Sequence, residues 1–222
     1  ELGNVHNLRI ENCSNIQNVN ALYKVHNLSI QNCSNIQNVN VLNSCHTLDL
    51  TYMCNISDVS KLGNVHTLSL FFCPKVKDVS ELGNVHTLTI SNCPQIMDVR
   101  ALYKVHNLTI ENCRNIQNVN VLNSCHTLFL ASLPKISDVS ELGNVHTLTL
   151  FSCINVEDVS NLRTVQYLKI FNSHHLKGVE NLGKSSEMHT LDIQGCTNIT
   201  NLDFLKESTI KRIILNEKVI KG

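Results

Sequence analysis

The sequence predicts a solenoid of short coils, in which one parallel β-sheet of short strands is backed by turns or 3₁₀ segments on the convex side, with little α-helix. Three observations carry this reading. The chain of 222 residues aligns with itself in blocks of twenty, without a gap, from Glu1 to Glu180, and a fixed period of that length marks a stack of repeated units. With block positions numbered 1 to 20, apolar residues recur at positions 2, 5, 8, 10, 13, 16 and 19. Their spacing is three residues everywhere except between positions 8 and 10, where it is two.

The single spacing of two places the strand. Leu8 and Ile10 then face inward while positions 7, 9 and 11 face solvent, because side chains alternate along a strand. Beyond position 13 the triplet spacing returns, with Asp or Asn at 18 and Ser or Asn at 20, which suits turns or 3₁₀ segments better than α-helix. Ten such coils are expected over residues 1–202, the last interrupted by three extra residues within Gly183 to Glu187. The pattern resumes at Met188, His189, Leu191, Ile193, Cys196, Ile199 and Leu202. Residues 203–222 read as a C-terminal cap: Phe204, Leu205, Ile210, Ile213 and Leu215 suggest a final strand, coated by Lys211, Arg212, Glu217, Lys218 and Lys221. No comparable cap precedes Leu2 and Val5, and the chain opens in register at Glu1 rather than Met, as a fragment or processed form would.

The segment Val5-x-x-Leu8-x-Ile10-x-x-Cys13 is similar to the L-x-x-L-x-L-x-x-(N/C) core of leucine-rich repeats, and the likeness covers residues 1 to about 202. Ile56-Ser57-Asp58-Val59-Ser60-x-Leu62 resembles the convex segment of internalin-type repeats, in a shorter coil. Cysteine at position 13 resembles the cysteine-containing subclass found in ubiquitin-ligase substrate receptors, although no F-box-like helical segment accompanies it. Near-identical short coils also look like the repeat arrays of protists and their large DNA viruses. This resemblance implies protein recognition without naming the partner.

Composition narrows the function classes. Lys plus Arg equals Asp plus Glu, at 18 each, so no global field favours nucleic acid or an anionic membrane. No stretch approaches the ~20 apolar residues of a membrane span. Seven of the ten cysteines occupy position 13, two (Cys45, Cys125) position 5, and Cys54 alone position 14. Position 13 also accepts Met53 and Leu133, so the site asks for a small apolar group and the cysteines read as buried free thiols rather than metal ligands. Free thiols in that number suit a reducing, cytoplasmic compartment.

Eight histidines occupy position 6 in succession from His6 to His146, before Gln166 interrupts and His189 resumes. Coils stacked at about strand spacing would set these rings in a column, with ring nitrogens bonding to backbone between coils. Parallel copies lack the convergence of a metal site. His174 and His175 belong to an exposed turn. An ice-binding face is a remote alternative suggested by Thr87, Thr89, Thr147 and Thr149, but Arg9, Asp49, Phe129 and Lys169 interrupt the column. No unique nucleophile, base and orienting group stand together, so no catalysis and no cofactor are expected.

An internal comparison points to a surface. Residues 21–80 and 101–160 are a duplicated block of three coils differing at 15 of 60 sites, and thirteen of the fifteen lie at positions 9 to 15. Even drift would scatter them over the other exposed positions as well. Five of the six phenylalanines also sit at outward or rim positions: Phe71, Phe72, Phe129, Phe151 and Phe171, with Tyr52 and Tyr167 beside them. Exposed aromatics on a rigid face are the usual anchors of protein interfaces. The expectation is therefore a non-enzymatic scaffold whose partner, another protein, lies across positions 7 to 15, with Phe129, Phe151, Phe171 and Tyr167 as one patch. A structural spacer is the alternative. A monomer is expected unless the uncapped N-terminal edge pairs.

Overall fold

Every coil begins a strand after position 6, because the backbone there runs extended through alternating inward and outward side chains. The computed structural model describes residues 5–199, 203–205, 208–216 and 218–221. Its chain divides into two compact units, Glu1–Asn115 and Ile116–Gly222.

In the first unit six strands run parallel in chain order: β1 (Asn7–Glu11), β2 (Asn27–Gln31), β3 (Thr47–Thr51), β4 (Thr67–Phe71), β5 (Thr87–Ser91) and β6 (Asn107–Glu111). The register advances by one coil per strand, so Leu8 pairs with Leu28 and Leu28 with Leu48. Identical positions therefore stack as columns, and the inward columns fill the core. Leu28, Ile30, Ile36, Leu42, Leu48 and Leu50 are fully buried, each contributing roughly 1.5–3 kcal/mol of hydrophobic transfer. Short 3₁₀ segments such as Asn40–Leu42 and Ser80–Asn84 turn the chain back. They start where position 18 dictates: Asp58 and Asp78 Oδ1 each accept the backbone N–H of position 20, Ser60 and Ser80, at 2.9 Å. That bond explains the Asp/Asn preference at position 18, since the side chain mimics the missing backbone acceptor.

The second unit repeats the plan with β7 (Thr127–Ala131), β8 (Thr147–Phe151), β9 (Tyr167–Phe171), β10 (Thr190–Gln194) and β11 (Arg212–Leu215), all parallel. One departure from the sequence reading occurs here. The last strand, β12 (Lys218–Lys221), runs antiparallel to β11, because Asn216 takes a left-handed turn (φ 45°) and reverses the chain. One helical turn, α1 (Val179–Leu182), follows left-handed Gly178 (φ 75°). The expected edge between coils and cap, at residues 202 and 203, adjoins residues 200–202, which lie outside the described residues, as do Leu2 and Glu217.

Candidate functional site

The outward face of the first unit is built from positions 7, 9 and 11 on the strands and position 12 just beyond. Position 12 is left-handed in every coil, with φ between 50° and 55° from Asn12 to Asn172. The turn lets its backbone N–H reach the position-11 carbonyl of the next coil, as Asn32 reaches Thr51 at 3.0 Å and Tyr52 reaches Phe71 at 2.8 Å. Asparagine tolerates this conformation. A bulky residue does so at a cost of roughly 1–2 kcal/mol, yet Tyr52 and Phe72 stand there, 47% and 37% exposed.

Their rings stack at 4.8 Å with 18° between planes, and Phe71 meets both edge-on, 6.0 Å from Tyr52 and 4.9 Å from Phe72. Three of the seven sequence-selected aromatics thus form one cluster. The patch expected in the second unit is smaller. Phe151, 39% exposed, lies 5.9 Å from Phe171, but Tyr167 turns toward His146 (5.2 Å) and His189 (5.6 Å). Half-buried Phe129, opposite Thr149 on β8, makes no ring contact with Phe151 or Phe171. The diagonal separation between position 9 and position 11 leaves those rings apart.

Along the sequence Asp49 interrupts a threonine column and is the duplicate counterpart of Phe129. In the structure its half-buried carboxylate accepts three hydrogen bonds: Thr51 Oγ1 at 2.7 Å, Ser29 Oγ at 3.0 Å and Gln31 Nε2 at 3.3 Å. No single residue type signals this. The signal available was that its position-9 neighbours in the adjacent coils, Ser29 and Ser69, are hydroxyls.

The histidines do form a column. Neighbouring rings from His6 to His106 stack at 4.5–4.8 Å on the exposed edge of the strands. Where the bond was expected to run to backbone of another coil, Nδ1 of His46, His66 and His86 faces the adjoining threonine hydroxyl at 3.2–3.4 Å. The main chain carries the bridge itself, with Thr67 N–H donating to the His46 carbonyl. Lost hydration, then the charges of His6 and His46, lower the His26 pKa below 6.5.

The cysteines are free thiols, and all but Cys13 and Cys54 are buried. Burial pushes Cys45 up to about 11, and Cys113 and Cys125 up to about 12. Position-13 thiols donate to backbone carbonyls, Cys73 to Leu50 at 3.5 Å and Cys93 to Ser91 at 3.4 Å. Among the described residues no cluster of three or more His, Cys, Asp or Glu is arranged to hold a metal ion. Among the described residues no helix is long and apolar enough to cross a membrane.

No family model matches the chain, and no curated protein matches it. Among solved structures it is similar to an internalin from Listeria monocytogenes, at a TM-score of 0.62 and 19% identity over 82% of this chain and 58% of that one. The chain has the leucine-rich-repeat fold. A second internalin from the same organism, internalin C2, superposes at a TM-score of 0.50 with 20% identity, covering 89% of this chain and 84% of the other. The leucine-rich repeats also align with TLR13, solved in complex with ssRNA13, at a TM-score of 0.60 and 18% identity over 96% of this chain and 36% of that one. At these identities the likeness is one of fold.

Proposed function

We propose that this leucine-rich-repeat chain is a non-enzymatic scaffold that binds another protein on its outward strand surface, repeat positions 7 to 15. The observation that carries the reading is the placement of change in the duplicated block: thirteen of fifteen differences fall in that window. The exposed rings of Tyr52, Phe72 and Phe151 stand within it, and well-ordered aromatic side chains anchor interfaces at little entropic cost. Internalins and TLR13 share the fold; here the surface chemistry, not the likeness, argues for recognition.

The test is capture of a partner by the intact chain, compared with two double variants, Tyr52→Ser with Phe72→Ser and Phe151→Ala with Phe171→Ala. Loss of about 2 kcal/mol or more of binding in either, with folding retained, supports the reading. A captured partner that binds both variants as tightly as the original chain refutes it, and leaves the spacer reading in place.

A further inference from the structure

Resting on that reading, we infer that the first unit recognises an arginine side chain of its partner, held between the Tyr52 ring and the Asp49 carboxylate. Of the sixteen residues at positions 7, 9, 11 and 12 in the second to fifth coils, Asp49 alone bears a formal charge. The nearby Arg9 is paired with Glu11, and no cationic side chain among the described residues forms an ion pair with Asp49. The carboxylate is nevertheless fixed in place by its three donors, Thr51, Ser29 and Gln31. A carboxylate offers about four acceptor sites, so one remains for a donor from outside.

The space beside Tyr52, linked to Asp49 through Gln31, suits a guanidinium. One face of the Tyr52 ring is covered by Phe72. Tyr52 also borders an open depression of about 390 Å3, whose other walls are Glu11, Asn12, Gln31 and Asn32. Gln31 joins this depression to Asp49, to which its side-chain amide donates. The amide nitrogens of Gln31 and Asn32 are used on Ser29, Asp49 and Asn12, which leaves the side-chain oxygens to a ligand. The depression thus combines one aromatic wall with acceptor groups. A guanidinium carries five N–H donors in a plane and no acceptor, and it stacks on aromatic rings. A lysine ammonium lacks the plane, and a neutral side chain would leave Asp49 without a counter-charge.

The duplicated block supplies an independent observation. Its second copy keeps a phenylalanine at the position of Phe71, as Phe151, but replaces Asp49 by Phe129, Tyr52 by Ser132 and Phe72 by Ser152. Carboxylate and stacked rings are absent together, as expected of parts of one site. Ser132 and Ser152 take the same left-handed conformation, so bulky rings at this position accompany the carboxylate copy and small hydroxyls the other.

The probe is the blocked peptide acetyl-Gly-Arg-Gly-amide, titrated into the intact isotope-labelled chain and followed by amide resonances, with lysine and citrulline peptides in parallel. Saturable shifts centred on Asp49, Thr51, Tyr52 and Gln31 are expected, with the citrulline peptide and the Asp49→Asn variant each weaker by about tenfold or more. Tyr52→Ser should weaken binding as well while resonances distant from the site stay in place. Equal affinity for arginine and citrulline peptides, an unaffected Asp49→Asn variant, or no saturable shift overturns the inference, and a lysine peptide that binds as tightly overturns the choice of arginine. A captured partner lost on Tyr52→Ser with Phe72→Ser but retained on Asp49→Asn would sink this inference alone and leave the protein-binding reading standing.

Discussion

Tyr52 and Phe72 stack face to face at 4.8 Å from consecutive turns whose backbones are both left-handed, at φ 53° and 52°. Stacking offsets only part of that backbone cost. A parallel ring pair contributes about 0.5–1.5 kcal/mol beyond its buried area, against roughly 1–2 kcal/mol of strain at each residue. Replacing both by Asn, the residue used at this position in five other coils of the fold, should therefore stabilise the chain by about 1 kcal/mol and raise Tm by about 2–4 °C. Thermal melts of the Tyr52→Asn, Phe72→Asn double variant decide the matter. A lowered Tm would mean that the rings hold the fold together rather than await a partner.

Mild acid should weaken the fold through the histidine column. For His26 the pKa is depressed in the folded chain by lost hydration and by the charges of His6 and His46. Below the unfolded value of about 6.5 the unfolded state then binds more protons. The stability this provides is present in full above that pH and is lost as pH falls below it. Tm should decline between pH 7.5 and pH 5, and His26→Gln, which copies the residue at Gln166, should flatten the decline. An identical Tm at both pH values would exclude the mechanism.

Strong acid acts on a different group. The Ser60 backbone N–H first, then its side chain, hold the Asp58 carboxyl below its usual range, and Ser140 does the same for Asp138. These depressed values give stability above the unfolded pKa of about 3.9 that disappears as pH falls through the folded one. At neutral pH, Asp138→Ala removes the acceptor at the start of the 3₁₀ segment and also the bond from Asn120 Nδ2 at 2.8 Å. A loss of about 1 kcal/mol is expected, as for other side-chain caps, and denaturant titration would measure it. No change in the midpoint would show that Asp138 is dispensable to its turn.

Thiol chemistry should single out Cys54. It is exposed, whereas Cys45, Cys113 and Cys125 are buried with pKa values pushed up to about 11 or 12, so they are almost wholly protonated and unreactive near pH 8. Alkylation followed by peptide mass spectrometry should label Cys54 first, half-buried Cys13 later, and the remaining eight only in denaturant. Labelling of Cys73 or Cys93 as fast as Cys54 in the native protein would contradict the burial assigned to position 13.

The coil, the strand and the contents of the core are legible in the twenty-residue period. Leu28, Leu48 and Leu68 recur every twenty residues, and burying such a column admits only one register, because a slip of one residue would turn the whole column out to solvent. Asp58 and its equivalents likewise announce their turns, since the bond to position 20 is local. Direction at the end of the chain was less legible: β11 was foreseen, but a single left-handed residue, Asn216, decided that β12 returns antiparallel.

Which outward side chains act together depends on how the coils stack. Columns of like residues are read directly from a period, but ring orientation depends on backbone angles and on neighbours one coil away. Position 12 is left-handed because its amide must reach the next coil, and that geometry throws Tyr52 and Phe72 onto one another while Phe129 stays apart from Phe151. Tyr167 shares the outward strand face yet turns to His146 and His189. The role of Asp49 was hidden for the same reason. Its three donors come from two strands, and nothing in a linear pattern fixes where a hydroxyl or an amide will point once the coils are stacked.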